Sequence, residues 1–269
     1  MMKVAIATTV LSAGLMTLPV AAEQFYGFMD LSINYLDWTD KAEDRTNPDI
    51  GGRGGPKEDF FYIELEGGAG FDWGDVYGFI DFENPTNSND GQFSDEAFAT
   101  DGFRIAAKGT LAYNLGSSNW NAYGHLYSFT ESSSGFFDQN LVLGVSYDVF
   151  TDFGLWFKPF IGGHYEQQSF AGSGWNGGML GWVLGYDFAI GEQKFSVTNW
   201  HETEFARDDQ FRSNGTQYQL ASVGWNGAVA LWWHLPNNLT GGLQYRYADN
   251  KLGTAAYHDA IIYSLRYNF

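Results

Sequence analysis

Apolar and polar side chains alternate with a period of two along most of this chain. That pattern builds β-strands with one face in an apolar setting and the other in a polar one. In the first run Phe25, Gly27, Met29, Leu31, Ile33 and Tyr35 share one side, and Gln24, Asp30, Ser32 and Asn34 the other. Phe61, Ile63, Leu65, Gly67 and Ala69 then alternate with Tyr62, Glu64 and Glu66. Further runs start near Asp75, Gly102, Trp120, Asn140, Gly154, Gly177, Lys194, Gln217, Leu239 and Tyr257, and the alternation blurs near Gly177 and Lys194. This predicts about twelve strands, mostly about 9–14 residues long, the length a tilted strand needs to cross a bilayer. The connections read as strictly alternating, long then short, with Asp37–Asp59 and Pro85–Asp101 as the first two long ones. A sandwich has no reason to alternate so. The fold expected is all-β, a transmembrane antiparallel up-and-down β-barrel with short turns on the periplasmic side and long loops outside.

Composition agrees with that setting. The chain carries 10 Trp, 16 Tyr, 23 Phe and 34 Gly, yet its mean hydropathy is −0.27. Many rings diluted by polar residues suit aromatic girdles outside a barrel and polar groups inside it. A net charge of −18 argues against a nucleic-acid-binding surface, which needs basic patches. The absence of cysteine removes disulfides, catalytic thiols and thiolate zinc sites.

Both ends of the chain carry signals. Met1-Met2-Lys3 precedes an uncharged run from Val4 to Ala22 that closes on Leu18-Pro19-Val20-Ala21-Ala22. It reads as a secretory signal over residues 1–22, which leaves residues 23–269 as the barrel domain. At the other end Tyr257, Asp259, Ile261, Tyr263, Leu265, Tyr267 and Phe269 share one face. Within it Tyr263, Leu265, Tyr267 and the terminal Phe269 form the expected assembly signal, on a strand that closes against the first and leaves no edge in lipid.

Little in the sequence promises catalysis. The histidines form neither HxH nor HExxH, so no metal site is expected, and no cofactor. There is no GxSxG, and Gly51-Gly52-Arg53-Gly54-Gly55 follows no strand–helix unit and reads as loop. Glu64 and Glu66 could pass for glycosidase carboxylates, but on one strand face they read as pore-lining groups. No enzyme is expected. Parity instead turns Tyr26, Phe28, Asp30, Tyr62, Glu64, Glu66, Tyr77, Phe79, Asp81 and Glu83 into the lumen. It adds Arg104, Lys108, Tyr123, His125, Tyr127, Phe129, Trp156, Lys158, Phe160, His164, Arg246 and Arg266. Rings beside carboxylates and guanidiniums would suit a flat, polar, ring-bearing solute. They would equally fill a narrow lumen, as side chains do in small barrels. The residues alone leave both readings open.

One hairpin adds a family resemblance. Tyr62-Ile63-Glu64-Leu65-Glu66, followed by Asp72-Trp73-Gly74-Asp75-Val76-Tyr77-Gly78-Phe79-Ile80-Asp81, resembles the same hairpin of the Tsx/OmpK family, and Tyr267-Asn268-Phe269 matches its C-terminus. Those proteins are twelve-stranded, monomeric, nucleoside-specific outer-membrane channels, and some are phage receptors. The resemblance implies a Gram-negative outer-membrane channel for nucleosides or other small solutes. It carries Glu64, Glu66, Tyr77, Phe79 and Asp81 over as solute contacts. With parity, Tyr62, Arg104, Tyr123, Tyr127, Trp156, Arg246 and Arg266 complete the expected lumenal site. The expected partners are lipid, lipopolysaccharide, the outer-membrane assembly machinery, and a phage or colicin at the loops. The rival expectation is a surface receptor or adhesion barrel with a plugged lumen.

Overall fold

The computed structural model describes residues 22–47, 57–86, 102–132, 135–212 and 221–269. Most of the expected signal, the glycine run at Gly51–Gly55, nearly all of Pro85–Asp101 and the expected strand start at Gln217 lie outside these residues. In chain order the strands are β1 (Gln24–Trp38), β2 (Phe60–Phe71), β3 (Gly74–Glu83), β4 (Arg104–Asn114), β5 (Trp120–Glu131) and β6 (Phe137–Tyr147). After the two-residue β7 (Val149–Phe150) come β8 (Leu155–Gln168), β9 (Gly172–Ile190), β10 (Gln193–Phe205), β11 (Val223–His234), β12 (Leu239–Asp249) and β13 (His258–Asn268). Each pairs antiparallel with its neighbours. β6 pairs with β8, and β1 with β13, so the sheet closes on itself. β7 pairs only with β8 inside a turn, which leaves twelve crossing strands, the number expected.

The outward face is the apolar one. Leu31 and Ile33 are 43% and 58% exposed, whereas Ser32 between them is 1% exposed. Leu143, Ile161, Leu243 and Leu265 share the outward exposure. This inverts a soluble fold and is what lipid selects. Rings run around the turn end. Trp73 stacks on Phe71 at 5.1 Å, and Phe188, Phe195 and Trp233 follow one another at 5.5 and 6.3 Å. Two small apolar clusters sit inside. Val142, Phe160 and Met179 form one, and the other lies at the loop end.

Three expectations need correction. The first long connection is not all loop, because α1 (Asp40–Thr46) opens it. Thr39 caps this helix by accepting a hydrogen bond from the Ala42 amide, and Asp40 and Glu43 suit its positive end. Its Ala42 packs onto Leu36, Trp38, Tyr62, Ala260 and Ile262, so the helix folds inward over the loop end of the barrel. The strict alternation of connection lengths also fails. β8 and β9 run on until only Ser169, Phe170 and Ala171 join them, fewer residues than the opposite-end connection Asp148–Gly154. Finally, β9 starts earlier than Gly177, at Gly172. A register shift between Gly163 and Tyr165, and Gly177 at φ +67°, switch the inward parity from Asn176 to Met179 and blur the alternation there.

Arginine at Leu65 or Val145 should destabilise the barrel by about 2–4 kcal/mol, because both side chains face the hydrocarbon. Glu66→Gln, inward on the same strand as Leu65, should fold. Urea midpoints in lipid vesicles check this, and equal losses at Leu65 and Glu66 would reverse the assigned faces.

Candidate functional site

The inward residues of β13, β1, β2 and β3 make one continuous polar wall. Pairing sets Asp30 opposite Glu66 and Ser32 opposite Glu64. On the far side of β2, Glu64 faces Asp81 and Glu66 faces Phe79. Arg266, opposite Ser32 on β13, lies among the carboxylates, 3.1 Å from Asp30, 2.8 Å from Glu66 and 3.7 Å from Glu64. The Tyr77 hydroxyl donates to Glu66 at 2.6 Å, and its ring sits 6.4 Å from both Phe28 and Phe79. Oxygens of Asp30, Glu64 and Glu66 come within 4.8 Å of one another, a spacing that could hold a metal ion. The cation among them is Arg266, whose guanidinium also covers the Trp232 ring at 4.2 Å.

Of the expected site residues, Glu64, Glu66, Tyr77, Phe79, Asp81 and Arg266 thus share this wall. The others stand elsewhere. Arg104 binds Glu83 at 2.6 Å and covers Phe60 at 4.4 Å. Arg246 lies over Trp200 at 5.9 Å. Tyr123 stacks on Phe160 at 4.7 Å, and Tyr127 sits between Lys108 of β4 and Asn140 of β6 in the sheet register. Trp156 presses on the next strand so closely that a Cβ on Gly185 would meet its ring at 2.4 Å. Tyr62, 6% exposed, packs beneath α1 rather than facing open lumen. Tyr263, Leu265, Tyr267 and Phe269 all point outward, and the Phe269 amide donates to the Met29 carbonyl at 2.9 Å.

Several charged residues escaped the sequence reading. Glu202 bonds Lys108, Glu204 binds Lys251 at 2.9 Å and Arg207 at 2.6 Å, and Asp75 binds Lys158 at 2.6 Å. Glu202 and Glu204 hold the inward parity of β10 and could have been found there, had the alternation near Lys194 been clear. Lys251 and Arg207 lie just beyond strand ends, where no period marks direction. Beside them Asn176 donates to Glu166 at 2.5 Å, and His164 meets Asn140 at 2.6 Å, a buried network that knits the long β8–β9 hairpin to the wall. Outside the strands, the Lys57 ammonium donates to the Leu252 carbonyl at 2.7 Å. Desolvation there, then the positive charges of Arg104 and Arg246, push Lys57 down to about 7.

Asp30, Glu64 and Glu66 therefore share Arg266 as their cation, and Glu66 also accepts from Tyr77. This interior offers hydrogen-bond acceptors, donors and aromatic faces to a solute. A family model described as nucleoside-specific channel-forming protein, Tsx, matches residues 33–269. Among solved structures, the NanC porin is 12% identical, with a TM-score of 0.48 over 89% of this chain and 98% of that one. An outer membrane channel from Pseudomonas putida F1 is 13% identical, with a TM-score of 0.44 over 93% and 96%.

Arg266→Met should lower stability by about 2–3 kcal/mol, at or below the usual range for stranding buried charges, because the site is 17% exposed and keeps some water. Arg266→Lys should recover only part, since an ammonium lacks the guanidinium fork. Urea unfolding in vesicles measures both, and a wild-type midpoint for Arg266→Met would show that the carboxylates do not depend on it.

Proposed function

The chain belongs to the Tsx family of nucleoside-specific channel-forming proteins, and from that premise we propose that its lumen passes nucleosides. It is an outer-membrane channel of a Gram-negative bacterium, and the small solute is what remains to be named. The observation that carries the nucleoside reading is the Tyr77–Glu66 unit. A hydroxylated ring is held by a carboxylate at 2.6 Å, between Phe28 and Phe79 and near the Arg266 guanidinium. A base can stack on such rings, while Glu64, Glu66 and Asp81 accept from sugar hydroxyls and exocyclic amines. Stacking on one ring is worth roughly 1–3 kcal/mol per base. Two rings would concentrate a nucleoside in the passage without holding it long.

A nucleotide brings a further charge of about −1.5 to −2 into a wall rich in carboxylates. Arg104, Lys108, Arg246 and Arg266 oppose that repulsion, so weaker entry is expected rather than exclusion. The function is passive and non-enzymatic in this reading, and no cofactor takes part. The outward run Tyr263, Leu265, Tyr267 and Phe269 supports its role as the signal read by the assembly machinery, with lipid and lipopolysaccharide around a monomer. A surface receptor for a phage or colicin would use the same loop end, and α1 folded over that end favours it as a second role.

Planar-bilayer recording tests the proposal. Wild type should give a small steady conductance that adenosine blocks, and Tyr77→Ala and Phe79→Ala should weaken the block several-fold while the barrel still inserts. Block unchanged in both variants would remove these rings from the solute path, and a silent wild type would favour the receptor.

A further inference from the structure

Most ion pairs of this barrel run along the wall, between adjacent or nearly adjacent strands, as Arg104–Glu83 does between β4 and β3. Two do not. Lys158 on β8 donates to Asp75 on β3 at 2.6 Å, with Asp148 4.0 Å from the same ammonium. By the shorter way round, β4, β5 and β6 stand between those strands. The Tyr26 hydroxyl interacts with that ammonium too, from β1, the strand diametrically opposite β8. Lys108 on β4 bonds Glu202 on β10, and by the shorter way β5, β6, β8 and β9 intervene. A bond between walls so far apart around the sheet must pass through the lumen. Lysine suits this, since it carries a point charge on a long flexible stem.

Two consequences follow from chemistry. A lysine and a carboxylate meet tip to tip only where the facing walls approach, so the passage is narrow at both places. All four side chains are also poorly hydrated, with exposures of 22% for Lys158, 17% for Asp75, 17% for Lys108 and 11% for Glu202. A bare ion arriving at a paired lysine and carboxylate gives up water and meets charges already engaged with each other. An uncharged solute gives up less, and its hydroxyl and amino groups can exchange hydrogen bonds with the ammonium and the carboxylate together.

We propose that Lys158–Asp75 and Lys108–Glu202 are the specificity-determining constrictions of this channel, bars that hold back salt ions and admit uncharged, multiply hydrogen-bonding solutes. This rests on the chain being a channel, and not on nucleosides being its cargo. Broken bars should therefore change ion flow when no nucleoside is present.

The test is planar-bilayer recording of the full-length protein in a KCl gradient, without added nucleoside. Lys158→Met strands Asp75 beside Asp148, so conductance should rise several-fold and the reversal potential should move toward that of potassium. Lys108→Met should act in the same direction but less, because Lys251 still stands 3.7 Å from Glu202. The double variant Lys158→Met/Asp75→Asn removes one charge of each sign and leaves the local net charge unchanged, so it should insert, raise conductance and leave the reversal potential near wild type. Inserted Lys158→Met with wild-type conductance and reversal potential would overturn the proposal. Should Lys158→Met fail to insert, wild-type conductance in the double variant would overturn it equally. Because no nucleoside is used, failure here stays distinct from failure of the nucleoside reading.

Discussion

Hydrocarbon offers no hydrogen-bond partner, so a strand can stand in it only if both its edges are paired. Here that requirement is met by one seam. β13 pairs with β1 from Trp38↔Ala260 to Asp30↔Asn268, and the last amide of the chain donates to the Met29 carbonyl. Once the seam closes, one face of every strand is in lipid and the other in an enclosed polar space. The remaining features are responses to that division. Outside, Leu31, Ile33, Leu65 and Leu265 meet hydrocarbon. Inside, charges that cannot all reach bulk water take partners, and rings line the walls between them.

The partnering has a pattern with functional weight. Arg266 on β13 pairs with the β1 and β2 carboxylates Asp30, Glu64 and Glu66 and leaves Tyr77 and Phe79 positioned among them. Lys108 and Lys158 pair across the lumen. The first arrangement gives a solute something to hold, and the second decides what can pass. Between them they account for a barrel whose interior is rich in charge of both signs. α1 adds a third restriction at the loop end, where Ala42 seals an apolar cluster over the Leu36 and Tyr62 side chains.

Much of this was legible in the sequence, because a strand's period of two makes parity a strong constraint: a one-residue slip would send Leu65 inward and Glu66 into lipid. The lumenal positions of Asp30, Glu64, Glu66, Tyr77, Lys158 and Arg266 followed from that rule alone. It failed where the backbone departs from regular pleating. Gly177 at φ +67° shifts the parity of β9, and the register break at Gly163/Tyr165 hid the length of β8 and β9. Loops carry no period at all, so α1 and the inward turn of Lys251 and Arg207 could not be read. Nor could the cross-lumen pairs. Parity says that Lys108 and Glu202 face inward, but which facing walls come close depends on the cross-section of the closed sheet.

The central claim is that this interior is a passage for uncharged, ring-bearing solutes rather than a plugged receptor or an unselective pore. Liposome swelling by full-length protein measures that most directly, with adenosine, adenosine monophosphate and glucose compared at equal osmolarity. The account predicts that adenosine enters faster than both others, since glucose lacks a flat face to stack and the nucleotide meets the carboxylate wall. Glucose entering as fast as adenosine would contradict selectivity, and no swelling with any of the three would contradict the passage itself.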